Sequence, residues 1–329
     1  MRSIPVRSIP VPLAAALAVS ALAVPALAGD PPALSLPIGC TLGDDCLVQQ
    51  LPDMKPGPGA TDPHCGSATY DGHTGTDFAL RFVADMERGV PALAPAPGRV
   101  SAVRDGEPDA LGVGVPEGRE CGNGLVIDHG DGWETQLCHL REGSLRVAPG
   151  RMVERGATVG EVGASGRAEF AHVHLSVRRD GEPIDPTTGR TLAAGCPGPR
   201  DDIAPLWDAA AREAIGVTGT QVLGLGLADA PIDADALWRE GPPPEPAGAP
   251  PVAVAWGATI NLRAGDTMRV ELVGPDGVLA ENEVVMERPR ARQMLFAGVR
   301  GPRGALRSRL TVERDGRVVL EETRGLGER

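Results

Sequence analysis

Between residues 67 and 196 the chain has almost no helical periodicity, and this narrows its possible folds more than any other feature. In place of helices there are short runs of strand length: "VPALAPAPGRVSAV", "GLVIDHG", "WETQLCHL", "ATVGEVGA" and "HVHLSVRRDGEPID". Gly, Pro and Asp separate them, and "RRDGEP" has the composition of a hairpin turn. An antiparallel β domain is the natural class for such a series of short strands joined by tight turns.

The flanking text divides into further segments. Residues 1–28 start with Arg2 and Arg7, continue through the apolar run "VPLAAALAVSALAV" and end on "ALA" at 26–28. That is the pattern of a cleaved secretory signal peptide, and the run is short for a bilayer span. Residues 29–66 are rich in Pro, Gly and Asp and read as an N-terminal extension lying on the next domain, which spans 67–200. Residues 201–248 hold a helix candidate, "PLWDAAAREAI" at 205–215, and lead into the proline-rich linker "EGPPPEPAGAPP" at 240–251. Residues 249–329 alternate again, with turns at Asp276-Gly277 and Asp315-Gly316, and predict a small β-sandwich that contains no His and no Cys. The expected architecture is mainly β with little helix.

Export changes how the six cysteines read, because an even count in an oxidising compartment favours disulfides over metal thiolates. Six cysteines allow 15 pairings. Cys40 and Cys46 are near enough in sequence to close a small loop. Cys121 and Cys138 flank two strands around an Asp-Gly turn, a spacing that could staple the two arms, and Cys65 and Cys196 are the remainder. The net charge of −12 argues against a nucleic-acid partner, and no segment after residue 28 is apolar enough to insert stably in a membrane.

The chemistry concentrates in the histidines. In "AHVHLSV" at 171–177, His172 and His174 are two apart in a strand, so both leave the same face. Adjacent imidazoles repel once charged, and imidazole is the commonest metal-ligating side chain. Upstream, "DGHTGTDFAL" offers His73 and Asp77, with Gly75 between them to let a short loop curl. Two imidazoles and a carboxylate are the donor set of a catalytic zinc, in which three protein ligands leave a position for water. His139, at the end of "QLCHL", is a further candidate near this group. His129, inside a turn, and His64, beside Cys65, read as structural.

Four stretches in order, "GHTGTDF", "VIDHGDGWETQLCHL", "VGASGRAEFAHVHLSV" and "RRDGEPIDP", resemble the signatures of the lysostaphin-like (LytM-type) zinc endopeptidases over residues 67–190. The resemblance implies an antiparallel β catalytic domain, placed at 67–200 in the division above; the extension and the 249–329 sandwich, read as an accessory domain, lie outside it. It implies one Zn2+ held by His73, Asp77 and His174, with His172 and His139 as the catalytic pair. Leu137, Cys138 and Ala171 depart from the family's usual residues, but none removes a ligand. Zinc so held can lower the pKa of a bound water to about 7 and polarise a peptide carbonyl.

Family members cleave peptides of bacterial peptidoglycan, at glycyl or D-alanyl bonds. The implied protein is therefore an exported peptidoglycan endopeptidase, periplasmic or extracellular and associated with the cell wall. Two rivals belong beside it: a catalytically inactive regulator of cell-wall hydrolases on the same fold, and a metalloprotease acting on proteins. The extension at 29–66 raises the expectation of latency, with Asp44, Asp45, Asp53 or His64 occupying the water position.

Overall fold

The computed structural model describes residues 30–327 apart from 217, 247, 249 and 303. The segment at 1–28, which reads as a signal peptide, lies outside them. Ten strands build the first region: β1 (Cys46–Gln50), β2 (Thr76–Leu80), β3 (Pro91–Leu93), β4 (Gly98–Arg104), β5 (Asn123–Gly130), β6 (Trp133–Leu140), β7 (Met152–Val153), β8 (Thr158–Glu161), β9 (His172–Arg179) and β10 (Glu182–Ile184). Two short helices, α1 (Ala209–Ile215) and α2 (Ala234–Glu240), flank β11 (Gln221–Ala228). Six more strands follow: β12 (Val252–Leu262), β13 (Thr267–Gly274), β14 (Gly277–Val285), β15 (Arg290–Arg300), β16 (Arg307–Arg314) and β17 (Arg317–Gly325).

The main sheet runs β1-β2-β9-β6-β5-β4-β7, with β10 paired to β9, and every pairing is antiparallel. Its turns take the predicted form. Asp131 and Asp180 have positive φ, 50° and 51°, as a two-residue hairpin turn that follows strand twist requires. One face of the sheet is apolar: Phe78, Leu80, Leu137, Val173, Leu175 and Val177 join a core that includes Val159 of β8 and Leu34 and Ile38 of the extension. The other face of β9 carries His172 and His174, as strand alternation demands.

The extension does more than lie on the domain, because Cys46–Gln50 adds an edge strand to the sheet. The helix expected over 205–215 is shorter than the sequence suggests. Asp208 caps it by accepting from the Ala211 amide at 2.8 Å, so the helix starts at Ala209. Leu206 and Trp207, ahead of the cap, stay extended and buried against Leu34.

Two sheets, β11-β12-β15 and β14-β13-β16-β17, form the C-terminal sandwich around Leu225, Ala253, Ala255, Val270, Leu272, Leu310 and Val312. β11 falls within 201–248, a stretch that reads as helix and linker. Its sequence, "QVLGLGLA", has glycine where strands are depleted of it. The reason is the indole of Trp256 on β12. A Cβ at Gly224 would stand 2.9 Å from that ring, and one at Gly226 3.0 Å from it.

The sandwich is not tethered at a distance. A second core joins Leu47, Ala79, Phe82 and Phe170 of the first region to Leu223, Val254, Trp256, Ile260 and Met294 of the sandwich. Pro31 to Arg329 therefore cluster as one compact unit. Because Ala79 pairs with His172 and Leu47 with Ala79, the sandwich packs on the histidine-bearing face of the main sheet.

Candidate metal centre and groove

Register brings the functional side chains together. Asp77 on β2 is directly opposite His174 on β9, whose other neighbour is Cys138 on β6. Directly opposed residues share a face, so one carboxylate and one imidazole meet at the sheet's centre. His73 arrives from the loop before β2. Gly75 makes that approach possible by its lack of a side chain rather than by unusual dihedrals: a Cβ there would lie 2.4 Å from the Leu175 carbonyl oxygen and 2.6 Å from His174 Nε2.

His139 needs a different device, because alternation along β6 turns it away from Cys138. Between Leu125 and Asn123 of β5 the pairing slips from Leu137 to Leu140. His139 sits in this bulge with φ 63°, a left-handed conformation for a non-glycine residue. The bulge re-aims the ring, which lies 4.5 Å from His172 and 5.9 Å from His174, centroid to centroid. Two bonds hold the strained backbone: the His139 amide donates to Cys121 O at 2.8 Å, and the Cys121–Cys138 disulfide ties the same two segments.

Three donor atoms converge. His73 Nε2 is 3.2 Å from Asp77 Oδ1 and 3.2 Å from His174 Nδ1, and His174 Nδ1 is 2.8 Å from Asp77 Oδ1. Donors held at about 2.0–2.1 Å from a tetrahedral ion stand roughly 3.3 Å apart, so these atoms need only slight spreading to hold a metal. The outer hydrogen bonds suit the task. A carbonyl only accepts, so the 2.7 Å contact of His73 Nδ1 with Leu51 O fixes the proton on Nδ1 and leaves the Nε2 lone pair facing inward. His174 Nε2 meets Ser176 Oγ at 2.9 Å.

The same logic fixes the other pair. His172 Nδ1 donates to Phe170 O and His139 Nδ1 donates to Ser165 O, both at 2.8 Å, so each ring presents an Nε2 lone pair. Burial, then the neighbouring His172 and His174, hold His139 well below the ordinary imidazole range. Burial also lowers His172, against the pull of Asp77. Both therefore start neutral at pH 7. Burial alone would raise Asp77, but the charges of His73 and His172 and the hydrogen bonds from His174 and His73 keep its carboxyl well below the usual carboxylate range. His73 moves upward: burial opposes the shift, and Asp77 outweighs it.

The remaining candidates fall elsewhere. His129 binds Pro97 O and Thr135 Oγ1 at 2.7 and 2.8 Å and serves its turn. His64 is exposed. Asp45 accepts from the Thr41 amide, and Asp53 from the amides of Lys55, Thr61 and Gly72. Among the described residues the only other cluster of metal-ligand type is Cys40, Asp45 and Cys46, whose two sulfurs are joined in a disulfide. Cys65 pairs with Cys196. Thus the extension meets the centre through the backbone of Leu51, not through any of the four side chains expected to make it latent.

Sequence reasoning missed Tyr70, the chain's one tyrosine, which stacks on His73 at 4.5 Å. Its uniqueness, three residues before His73, was a usable signal. It also missed the groove's second wall. A cavity of about 650 Å³ opens over Tyr70, Asp77, His139 and His172, and its far side is made by Asn261, Arg288 and Arg290 of the sandwich. No helix among the described residues is long and apolar enough to cross a membrane.

Comparison with known proteins follows the same residues. Positions 71–186 match the model of Peptidase family M23. Peptidoglycan DD-endopeptidase ShyB of Vibrio cholerae is 33% identical over 113 residues, 34% of this chain and 22% of that protein. DD-carboxypeptidase/endopeptidase Mpg of Neisseria meningitidis is 30% identical over 122 residues, 36% of this chain and 23% of that protein. This chain thus spans less than a quarter of the length of those two relatives. Among solved structures, a zinc-containing peptidase from Vibrio cholerae is 25% identical, with a TM-score of 0.28 over 46% of this chain and 41% of that one. The order of the motifs and the meeting of His73, Asp77 and His174 agree with the match of residues 71–186 to the metallopeptidases of Peptidase family M23.

Proposed function

We propose that this chain is an exported zinc endopeptidase that hydrolyses peptide cross-links of bacterial peptidoglycan. The observation that carries the proposal is the convergence of His73 Nε2, Asp77 Oδ1 and His174 Nδ1 beside two further imidazoles with inward lone pairs. When bound there, zinc would supply Lewis acidity and an activated water, with a net charge near +1 after one carboxylate.

The chain's own residues would do the rest. His172 and His139 both start as bases, since each keeps its proton on Nδ1. Whichever accepts the water's proton at Nε2 becomes an imidazolium, and its new N–H can then donate to the oxyanion or to the leaving amine. Such acid–base help is worth about 10²–10⁴ in rate. The sandwich and the main sheet close the groove on two sides and would keep the peptide extended across the centre.

Export is favoured by the segment at 1–28 and by three disulfides, which persist in oxidising compartments. The preserved ligand set and both histidines weigh against an inactive regulator. The test is digestion of purified peptidoglycan beside casein, with a chelator and zinc add-back. The proposal predicts new amino termini from peptidoglycan that vanish with chelator and return with zinc. Cleavage of casein alone, or an unchanged peptidoglycan digest, would overturn it.

A further inference from the structure

The groove's second wall carries charge without partners. Arg288 and Arg290 line the same cavity as His139, His172 and Asp77. Both are exposed, and neither has an ion pair among the described residues. In a chain of net charge −12, two unpaired guanidinium groups beside the catalytic pair call for an anionic ligand. The peptidase side of the cavity adds one cation and one anion, Arg167 and Glu169, and Arg167 is 3.7 Å from Glu120. The excess positive charge therefore belongs to the sandwich wall.

This wall is held in place. The Ala291 carbonyl accepts from Gln49 Nε2 at 2.8 Å. Arg292 donates to Arg81 O at 2.9 Å and Leu80 O at 3.0 Å, and its guanidinium lies 4.5 Å over the ring of Phe170. Asn261 Nδ2 donates to Gln49 O at 2.5 Å. Arg292 is thus the anchor that fixes the segment to β2, and Arg290, two residues earlier in β15, shares its strand face. With the backbone beside it anchored, the Arg290 side chain has less freedom to lose on binding than it would on a mobile loop.

We propose that Arg288 and Arg290 form a carboxylate-binding subsite, through which the sandwich selects peptides bearing a free carboxylate near the scissile bond. Arginine suits this because its planar fork donates two parallel hydrogen bonds to a carboxylate. The subsite deepens the peptidase proposal and rests on it for the identity of the ligand as a peptide.

The experiment uses the full chain and two synthetic D-alanyl-linked peptides, one with free carboxylates and one with the same groups as carboxamides. The variant is Arg288→Gln/Arg290→Gln, and Arg300→Gln/Arg317→Gln, at two exposed arginines outside the cavity lining, is the charge-matched control. For the free carboxylate peptide, KM in the first variant should rise about 10–100-fold with kcat within about twofold of the parent. For the carboxamide peptide it should not move, and the control variant should match the parent on both. Anisotropy of the labelled peptides on chelator-treated protein should give the same pattern in Kd. That arm reports on the subsite even if neither peptide is hydrolysed, so failure of the peptidase proposal is seen separately. Equal losses for both peptides, no loss for either, or the same loss in the control would each overturn the subsite.

Discussion

The main sheet and the sandwich contribute to one groove by opposite means. On the sheet, chemistry is concentrated: register sets Asp77 of β2 opposite His174 of β9, and a bulge in β6 turns His139 toward the same centre. The sandwich has no His and no Cys, and it contributes shape and charge through β15 and the loop before it. The difference teaches that reactive residues announce themselves by type and spacing, whereas a wall built from arginine and asparagine looks like ordinary surface until its packing is known.

Breaking the sheet's half should give the largest effect. His139→Ala and His172→Ala are each expected to lower turnover by about 10²–10⁴ while leaving metal content and unfolding temperature near the parent's, measured by steady-state hydrolysis and metal analysis. If either variant kept full turnover, its place in the acid–base pair would be lost.

The shared core comes next. Phe82 sits between Trp256, Leu223 and the sheet, and Phe82→Ala should destabilise the chain by about 3–5 kcal/mol, read in denaturant titration. One cooperative transition, shifted as a whole, is expected. Two separate transitions would show the sandwich to be a tethered appendage. Smaller again is the disulfide behind the bulge. Cys121→Ser/Cys138→Ser removes a constraint on a loop of 17 residues, worth about 3 kcal/mol, and should slow turnover because His139 loses one of its two backbone restraints. Unchanged turnover would mean that the Cys121 carbonyl alone aims His139.

The smallest effect is on pH. His139 and His172 have folded-state pKa values below the unfolded value, so the stability they contribute is present above about pH 6.5 and is lost as pH falls further. His73 is raised and works in the opposite direction, contributing below about pH 6.5. The metal-free chain should therefore weaken modestly from pH 7 to pH 5, and less in His139→Gln. A variant with the same slope as the parent would assign the slope to other groups.

Legibility in the sequence followed the same division. His73, Asp77, His172 and His174 were readable because strand alternation and a short loop suffice to place them. His139 was readable by resemblance, but the bulge that turns it inward was not, since a left-handed φ at a non-glycine residue leaves no mark in composition. Most sandwich strands were visible as alternation. β11 was hidden by Gly224 and Gly226, which exist to admit Trp256, a residue some thirty positions away. Docking of the sandwich on the sheet was also invisible: Leu47, Ala79 and Phe170 are apolar, and an apolar residue does not say against what it packs.

The most direct measurement is anomalous diffraction at the zinc absorption edge from crystals of the full chain grown with zinc. One strong peak per chain, within about 2.0–2.2 Å of His73 Nε2, Asp77 Oδ1 and His174 Nδ1, is the predicted result. A peak bound by other residues, with those three donors turned apart, would contradict it.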